Sequence, residues 1–183
     1  MQRKQILDLL AQYNPTDATE KRMRAQTILF VQENFNCFDR QLKIGHITGS
    51  AWVVNAPRTH VLLMHHRKLN RWLQPGGHAD GEPDVLKVAL NEAEEETGLQ
   101  QLKAVSNTIF DVDVHEIPAN AAHSAHLHYD IRFMIEADPA ETLVINAESK
   151  DLQWVALSDI AHYNPDTSMT RMTNKTVLSQ KNA

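Results

Sequence analysis

Residues 74–100 read QPGGHADGEPDVLKVALNEAEEETGLQ, and this stretch decides how the rest of the chain is interpreted. Pro83 suits the first turn of a helix, where its missing N–H is harmless, and Gly98 suits the left-handed residue that ends one. Apolar residues recur between them at helical spacing. The stretch therefore predicts a helix from Pro83 to Thr97, with an apolar stripe formed by Leu86, Ala89, Leu90 and Ala93.

The predicted helix carries three glutamates on one face, because Glu92, Glu95 and Glu96 stand at i, i+3 and i+4. Anions in the last turns oppose the helix dipole at a cost of roughly 0.3–1 kcal/mol each, and no lysine or arginine stands at a compensating spacing. A solvated charged face is the usual explanation of such a run. A divalent cation explains this run better, because it converts mutual repulsion into shared coordination, and carboxylates without Cys or His suit Mg²⁺ or Mn²⁺.

The glycine pair before the helix offers a second element of such a site. Pro75, Gly76 and Gly77 predict a tight turn with no side chains to block approach. The carbonyls of this turn are predicted to supply a further metal ligand, and its amides to approach phosphate oxygens. A glycine turn followed by a carboxylate helix is what metal-assisted attack on a phosphate ester or anhydride needs.

In this arrangement the sequence resembles the Nudix hydrolases, whose signature is Gly, five residues, Glu, seven residues, then Arg-Glu-apolar-any-Glu-Glu-any-Gly-apolar. The resemblance covers the 23 residues 77–99 and keeps both glycines and all three helix glutamates in register. Two positions depart from the signature, since Pro83 stands at the glutamate position and Asn91 at the arginine position. Asn91 cannot supply the bidentate cation that arginine would, so we expect the glutamates to be tuned differently, with reduced turnover as one outcome.

The resemblance implies an α/β protein, a Nudix-type α/β/α sandwich with a mixed sheet. It also implies a hydrolase that cleaves a diphosphate linkage in a nucleoside diphosphate or triphosphate derivative, with two or more Mg²⁺ or Mn²⁺ ions. By position, Glu92, Glu95 and Glu96 would be the catalytic and metal-binding residues, with Glu92 also a candidate base. A carbonyl of Gly76 or Gly77 would join them, and the partner would be a small nucleotide-type substrate.

A later loop supplies one more carboxylate in some members of that family. Glu148 stands six residues before Trp154 in ESKDLQWVAL, ahead of the final predicted strand, and we therefore expect it to be a further metal ligand. A solvated loop acid is the alternative.

Ten histidines are many for 183 residues, and two of them fall in the most regular strand pattern of the chain. Residues 126–133 read HLHYDIRF, which alternates polar and apolar residues as a strand with one face on the core does. The preceding IFDVDVHEI alternates likewise and is expected to form an antiparallel pair with it across the loop from Pro118 to Ala125. The polar face is interpreted as a wall of the substrate pocket, with a second metal site and an ordinary solvated face as alternatives. The predicted substrate-binding residues are His78, His126, His128, Asp130 and Arg132.

Helices and strands are predicted along the rest of the chain from the same periodicities. Helices are expected near residues 6–13, 18–34 and 167–179, the second with Ile28, Val31 and Phe35 buried. Strands are expected at 44–55, 59–65, 72–73, 105–115, 127–135 and 152–155. This order predicts a mixed sheet with helices packed on it. Residues 1–40 are interpreted as an N-terminal helical extension and residues 41–183 as the Nudix hydrolase domain.

Composition narrows the class of protein. The formal net charge of −5 disfavours a nucleic-acid partner, which would need clustered Lys and Arg. The single Cys37 excludes an intramolecular disulfide, and no stretch approaches the roughly 20 apolar residues that span a bilayer. We therefore expect a cytoplasmic protein without a membrane partner. The N-terminal helices are a candidate surface for a homodimer.

Two rival functions remain open on the sequence. Asn91 keeps open a catalytically weak or inactive Nudix-fold module that binds a nucleotide or regulates, since a fold does not prove a function. An isoprenoid diphosphate isomerase is the weaker rival. The resemblance suggests that such enzymes use a cysteine, and Cys37 lies in the helical extension or just after it.

Overall fold

The computed structural model describes residues 2–119 and 124–180. The helices of this part of the chain are α1 (Lys4–Gln12), α2 (Ala18–Glu33), α3 (Val85–Thr97), α4 (Ile160–Tyr163) and α5 (Thr167–Gln180). Its strands are β1 (Gly45–Val54), β2 (His60–His66), β3 (Arg71–Leu73), β4 (Gly76–His78), β5 (Lys103–Ala104), β6 (Asp111–Ile117), β7 (His126–Glu136) and β8 (Ser149–Ala156). Among the described residues, no helix has the length and apolar character needed to cross a membrane.

The strands form a mixed sheet. They are ordered β3-β2-β1-β7-β5, with β4 paired to β1, β6 to β7 and β8 to β2, these three pairs being antiparallel. Strand β7 runs in the same direction as β1, because Leu127 N donates to Ile44 O near one end and Ala137 N donates to Val54 O at the other. The mixed sheet with helices, and the antiparallel pairing of β6 with β7, are therefore confirmed.

The chain divides into two compact units. The first consists of Met1–Ser50, Gly76–Ala89 and Ser106–Phe133, and the second of Ala51–Pro75, Leu90–Val105 and Met134–Ala183. Strands β1 and β7 and helix α3 contribute residues to both units. Each unit contains fully or almost fully buried apolar side chains of its own, among them Ile6, Leu10, Val31 and Ile131 in the first and Trp52, Leu62, Met169 and Met172 in the second.

The N-terminal helices take part in the core of the first unit. The carboxylate of Glu20 in α2 is fully buried and accepts a hydrogen bond from Val112 N at 3.1 Å and another from the Tyr13 hydroxyl. Phe30 stacks on Tyr129 of β7, with ring centroids 3.9 Å apart. A polar bond and an aromatic stack thus attach α2 to β6 and β7.

The side chain of Trp52 is fully buried in the second unit. Its Nε1 atom donates a hydrogen bond to Thr176 Oγ1 of α5 at 2.9 Å. The one polar atom of the indole is therefore satisfied inside the core. Met169 and Met172 of the same helix are buried with it. This contact places α5 against β1 within the unit.

Helix α3 begins later than predicted. It starts at Val85 rather than Pro83, because Asp84 caps the helix: its Oδ1 accepts from Lys87 N at 3.2 Å. The buried stripe also differs from the prediction, since Val85 and Val88 are buried where Leu86 and Leu90 are only half-buried. Ala89 and Ala93 are buried as predicted.

The glycine pair forms a strand rather than the predicted tight turn. Strand β4 pairs with β1, and Gly76 stands opposite Ser50. A Cβ atom on Gly76 would collide with Ser50 Oγ, so only glycine allows the two strands to approach this closely. Glycines carry no hydrophobic periodicity, and the sequence pattern therefore missed β4.

Two further predictions are wrong. Phe35 is 78% exposed, because α2 ends at Glu33 and Phe30 occupies the buried side of the helix instead. The strand predicted from residue 105 begins at Asp111, since Ser106 Oγ accepts from Thr108 N at 3.3 Å and forms a local turn. The loop predicted from Pro118 to Ala125 lies partly outside the described residues.

Gly98→Ala is expected to destabilise the protein by about 2–5 kcal/mol, the sum of the costs of a left-handed backbone and of a steric clash. Gly98 has φ +78°, and an added Cβ would lie 2.7 Å from the Val144 side chain. Gly81→Ala is the matched control, because Gly81 has φ +89° but no atom within 4 Å of an added Cβ. Equilibrium urea unfolding measures both variants, and equal losses would contradict the packing of Gly98 against Val144.

Candidate functional site

The three glutamates on one face of α3 differ in exposure. Glu96 is buried, with 5% of its surface exposed, Glu92 is half-buried and Glu95 is exposed. Glu94 is exposed as well, as expected for a residue on another face of the helix. The face therefore combines a glutamate that is shielded from water with one that solvent can reach.

A loop of the second unit holds the C-terminal end of α3. Val144 N donates to Thr97 O at 2.8 Å, and Asn146 Nδ2 donates to Glu95 O at 3.2 Å. These bonds satisfy carbonyls that the last turn of a helix leaves without a partner. The position of the glutamate-bearing turn therefore depends on residues far along the chain.

Asn146 also positions Glu148. Asn146 Oδ1 accepts from Glu148 N at 2.9 Å and from Ser149 N at 3.1 Å, while Arg67 N donates to Glu148 O at 2.7 Å. The Glu148 side chain is exposed. Burial lowers the pKa of the His66 imidazole, and the nearby Glu148 carboxylate partly offsets that effect. One asparagine thus joins the loop acid to the glutamate helix, a role that sequence reasoning missed although Asn is a common turn former.

The donor set fits a hard divalent cation. Glu92, Glu95 and Glu96 offer only carboxylate oxygens, and Glu148 lies on a loop bonded to the main chain of Glu95. Oxygen ligands are those that Mg²⁺ and Mn²⁺ prefer. Within residues 2–119 and 124–180, however, the three side chains whose potential ligand atoms lie within 4.8 Å of one another are histidines. The glutamates are not part of that group.

The glycine strand lies in the first unit. Gly76 and Gly77 are half-buried and pair with Ser50 and Gly49 of β1. Their main chain is therefore fixed by sheet pairing rather than by a flexible turn. The role of their carbonyls as metal ligands stays a prediction.

Asp130 and Arg132 lie inside the first unit, each with 3% of its surface exposed. Arg132 Nε donates to Asp130 Oδ2 at 2.7 Å, and the two terminal nitrogens of Arg132 lie 3.2 Å from carboxylate oxygens of Asp111 and Asp113. Asp130 Oδ1 in turn accepts from Ser50 Oγ at 2.7 Å. One guanidinium therefore serves three carboxylates in the interior.

This network engages Asp130 and Arg132 inside the protein, and their roles as substrate contacts stay a prediction. Burial lowers the pKa of Arg132, but the three carboxylates, Asp130 foremost, outweigh that effect and hold the pKa above its usual value. The side chains of Asp130 and Arg132 pair with each other and are buried in the protein. Strand alternation identified a polar face correctly, but alternation does not tell whether water or other charged groups cover such a face.

The other predicted substrate residues, His78, His126 and His128, gather in the first unit around His46. The ring centroid of His46 lies 4.9 Å from that of His78, 5.1 Å from that of His126 and 4.7 Å from that of His128. His115 completes the group, with its ring 5.6 Å from that of His128. The structure therefore brings together histidines from β1, β4 and β7, which are far apart in the sequence.

Sequence reasoning missed His46. The signal that would have identified it is the alternation of His46, Thr48 and Ser50 with smaller or apolar residues in β1. These three side chains share one face of the strand, and Thr48 and Ser50 both donate to Asp130. A polar face on β1 therefore meets the polar face of β7.

Arg132→Met is expected to destabilise the protein by about 3–5 kcal/mol, because it leaves three buried carboxylates without their counterion. The control is Arg71→Met, which removes an ion pair with Asp166 whose side chains are 50% and 46% exposed. That change is expected to cost no more than about 1 kcal/mol. Equilibrium denaturation at neutral pH gives both values, and similar losses would show that the Arg132 network is not part of the core.

Comparison with known proteins places these observations in a family. A family profile, the NUDIX domain, matches residues 46–174. An Ap4A hydrolase from C. elegans, solved as a binary complex, superposes with a TM-score of 0.61 at 15% identity, over 75% of this chain and 98% of the other. The dihydroneopterin triphosphate pyrophosphohydrolase of E. coli superposes with a TM-score of 0.56 at 14% identity, over 73% and 95%. A search of curated proteins finds no match.

Proposed function

Since the chain belongs to the Nudix domain family, with its α/β/α fold, we propose that it is a pyrophosphohydrolase that depends on Mg²⁺ or Mn²⁺. The proposed reaction is cleavage of a diphosphate linkage in a nucleoside diphosphate or triphosphate derivative. The observation that carries this proposal is the intact trio of Glu92, Glu95 and Glu96 on one face of α3, with the loop of Glu148 bonded to the same helix end.

The chain supplies metal ligands and a base in this proposal. Glu92, Glu95, Glu96 and Glu148 would hold the cation, which would lower the pKa of a water molecule and offset the charge of phosphate oxygens. Glu92 accepts the proton of the attacking water, because a half-buried carboxylate is both reachable and partly desolvated. The water oxygen bonds to phosphorus while the anhydride P–O bond breaks. Carbonyls of Gly76 or Gly77 remain proposed ligands on the strength of the family signature.

The two departures from the family signature bear on the rate. Glu82 and Asp84, the acids beside Pro83, are engaged elsewhere: Glu82 Oε2 accepts from Lys87 Nζ at 2.7 Å, and Asp84 caps α3. Either acid would have to give up these bonds to substitute for the missing signature glutamate. Asn91 is exposed and offers no positive charge. We accordingly propose a slower enzyme than one with the complete signature.

The substrate class rests on the family and on the similar structures. One of them is named as an Ap4A hydrolase and another as a dihydroneopterin triphosphate pyrophosphohydrolase. At 15% and 14% identity these likenesses concern the fold, so we propose only a small phosphate anhydride of the nucleotide type. His126, which is half-buried at the end of β7, is retained as a proposed substrate contact.

The two rival functions differ in what supports them. The catalytically weak nucleotide-binding module shares every structural feature of the enzyme and is separated from it by turnover alone. The isomerase rival loses its reactive group, because Cys37 is fully buried and burial raises the pKa of its thiol to about 11. A thiol in that state is neither accessible nor ionised at neutral pH.

Glu95→Gln is expected to lower metal-dependent turnover by at least about 100-fold, because it removes an exposed carboxylate ligand. Phosphate release from a panel of nucleoside diphosphate and triphosphate compounds, with Mg²⁺, Mn²⁺ or EDTA, measures this. Glu94→Gln is the matched control, since Glu94 is exposed like Glu95 but stands on another face of α3. Turnover in the control is expected to stay within about twofold of the parent, as for most exposed substitutions away from a site.

Three results would contradict the proposal. Turnover that survives EDTA would exclude a metal-dependent reaction. Equal losses in Glu94→Gln and Glu95→Gln would show that turnover does not depend on the face of α3 that carries Glu95. Silence of the parent protein across the whole panel, with Mg²⁺ binding intact by calorimetry, would favour the binding module.

A further inference from the structure

We propose that His46, His78 and His128 form a second metal site, which binds a nitrogen-preferring divalent ion of the Zn²⁺ class. This site lies in the first unit and does not depend on the proposed hydrolase function. It uses imidazole nitrogens, whereas the glutamates of α3 offer oxygen donors. The two sets therefore select different ions.

The geometry of the three rings suits such an ion. One nitrogen of each ring is within 4.8 Å of the others. In tetrahedral coordination, nitrogens at roughly 2.0–2.1 Å from zinc lie about 3.4 Å from one another. Small rotations of the three side chains would therefore bring the nitrogens to the coordinating distance without movement of the main chain.

The ring nitrogens of His46 are poorly satisfied by the described protein atoms. His46 is 2% exposed, and among the described residues neither ring nitrogen makes a hydrogen bond of good geometry, although the main chain of Leu42 lies close to the ring. The Nε2 atom of His128 is buried without a partner in the same part of the chain. Burial of an unsatisfied imidazole nitrogen is unfavourable, and a bound metal ion would take up one such nitrogen of His46 and the Nε2 atom of His128.

Three paired strands hold the ligands. His46 belongs to β1, His78 to β4 and His128 to β7, and β1 is the neighbour of both other strands. His78 stands opposite Thr48, two residues from His46 along β1. Sites on paired strands are more rigid than sites on loops, so the three imidazoles are arranged before any ion binds.

His126 is a candidate for the fourth position. Its ring centroid is 5.1 Å from that of His46 and 5.3 Å from that of His128. The Nδ1 atom of His126 lies 2.9 Å from Ser124 O, a carbonyl that can only accept, so Nδ1 carries the proton and Nε2 keeps its lone pair. His126 is half-buried, and the fourth position would therefore be open to exchange with water or a ligand.

The test is a titration of the untagged, full-length, EDTA-treated chain with Zn²⁺ by calorimetry and with Co²⁺ by visible absorption. We expect one Zn²⁺ per chain at the histidines and the absorption bands of nitrogen-coordinated Co²⁺. His46→Phe and His128→Gln should each weaken Zn²⁺ binding by at least about 100-fold, more than the loss of an outer partner costs. His162→Gln, which changes an exposed histidine outside the cluster, should bind as the parent does.

Folding and specificity controls keep the result decisive. His46→Phe replaces a poorly satisfied ring by an apolar one, so we expect it to fold as the parent does by circular dichroism, and His128→Gln gives an independent loss. Glu95→Gln should retain the Zn²⁺ site and its Co²⁺ spectrum. The proposal is overturned if the parent shows no such site, if His46→Phe and His128→Gln bind like the parent, or if Glu95→Gln abolishes the binding instead.

Discussion

Like charge on one face of a short helix is the constraint on which the proposed active site depends. Glu92, Glu95 and Glu96 occupy the last turns of α3, where both their mutual repulsion and the helix dipole oppose them. Within the second unit, the main-chain N–H of Val144 and the side-chain amide of Asn146 nevertheless hold this turn in place through bonds to its carbonyls. The proposed divalent cation would offset the repulsion within this set of charges.

The first unit contains a different electrostatic arrangement, in which charged and polar side chains lie on paired strands. Arg132 lies among three aspartates and pairs with each of them in the interior. Farther along the same strands the polar residues are histidines, of which His46 is buried. The polar faces of β1, β6 and β7 thus form one continuous layer, with an ion-pair network at one end and a cluster of imidazoles at the other.

Local signals in the sequence predicted the parts of the structure that are decided locally. The glutamate face of α3 and the end of that helix at Gly98 follow from spacing and from a single glycine, and both are present. Most strands were found from their alternation, with ends that moved by a few residues. Strand β4 was missed because its pairing is decided by Ser50 and Gly49 on another strand.

Non-local contacts decided what the sequence did not predict. The alternation of β7 identified a polar face, yet only the approach of Asp111 and Asp113 shows that Arg132 is buried. The alternation of His46 with Thr48 and Ser50 marks a polar face of β1, but the importance of His46 follows from the two other strands that bring His78 and His128 beside it. Asn146 is an ordinary turn residue until its bond to Glu95 O is known.

Thermal unfolding of the parent and of Glu95→Gln in EDTA and in rising Mg²⁺ tests the central claim most directly, because Mg²⁺ prefers oxygen donors over imidazole. At ten times its dissociation constant, Mg²⁺ should stabilise the parent by about 1.4 kcal/mol and raise Tm by about 3–6 °C. Glu95→Gln should be at least as stable as the parent in EDTA, where one repulsive charge has been removed, and should show little response to Mg²⁺. A parent protein that Mg²⁺ leaves unchanged, or a variant that responds equally, would contradict the claim that the glutamate face exists to bind a cation.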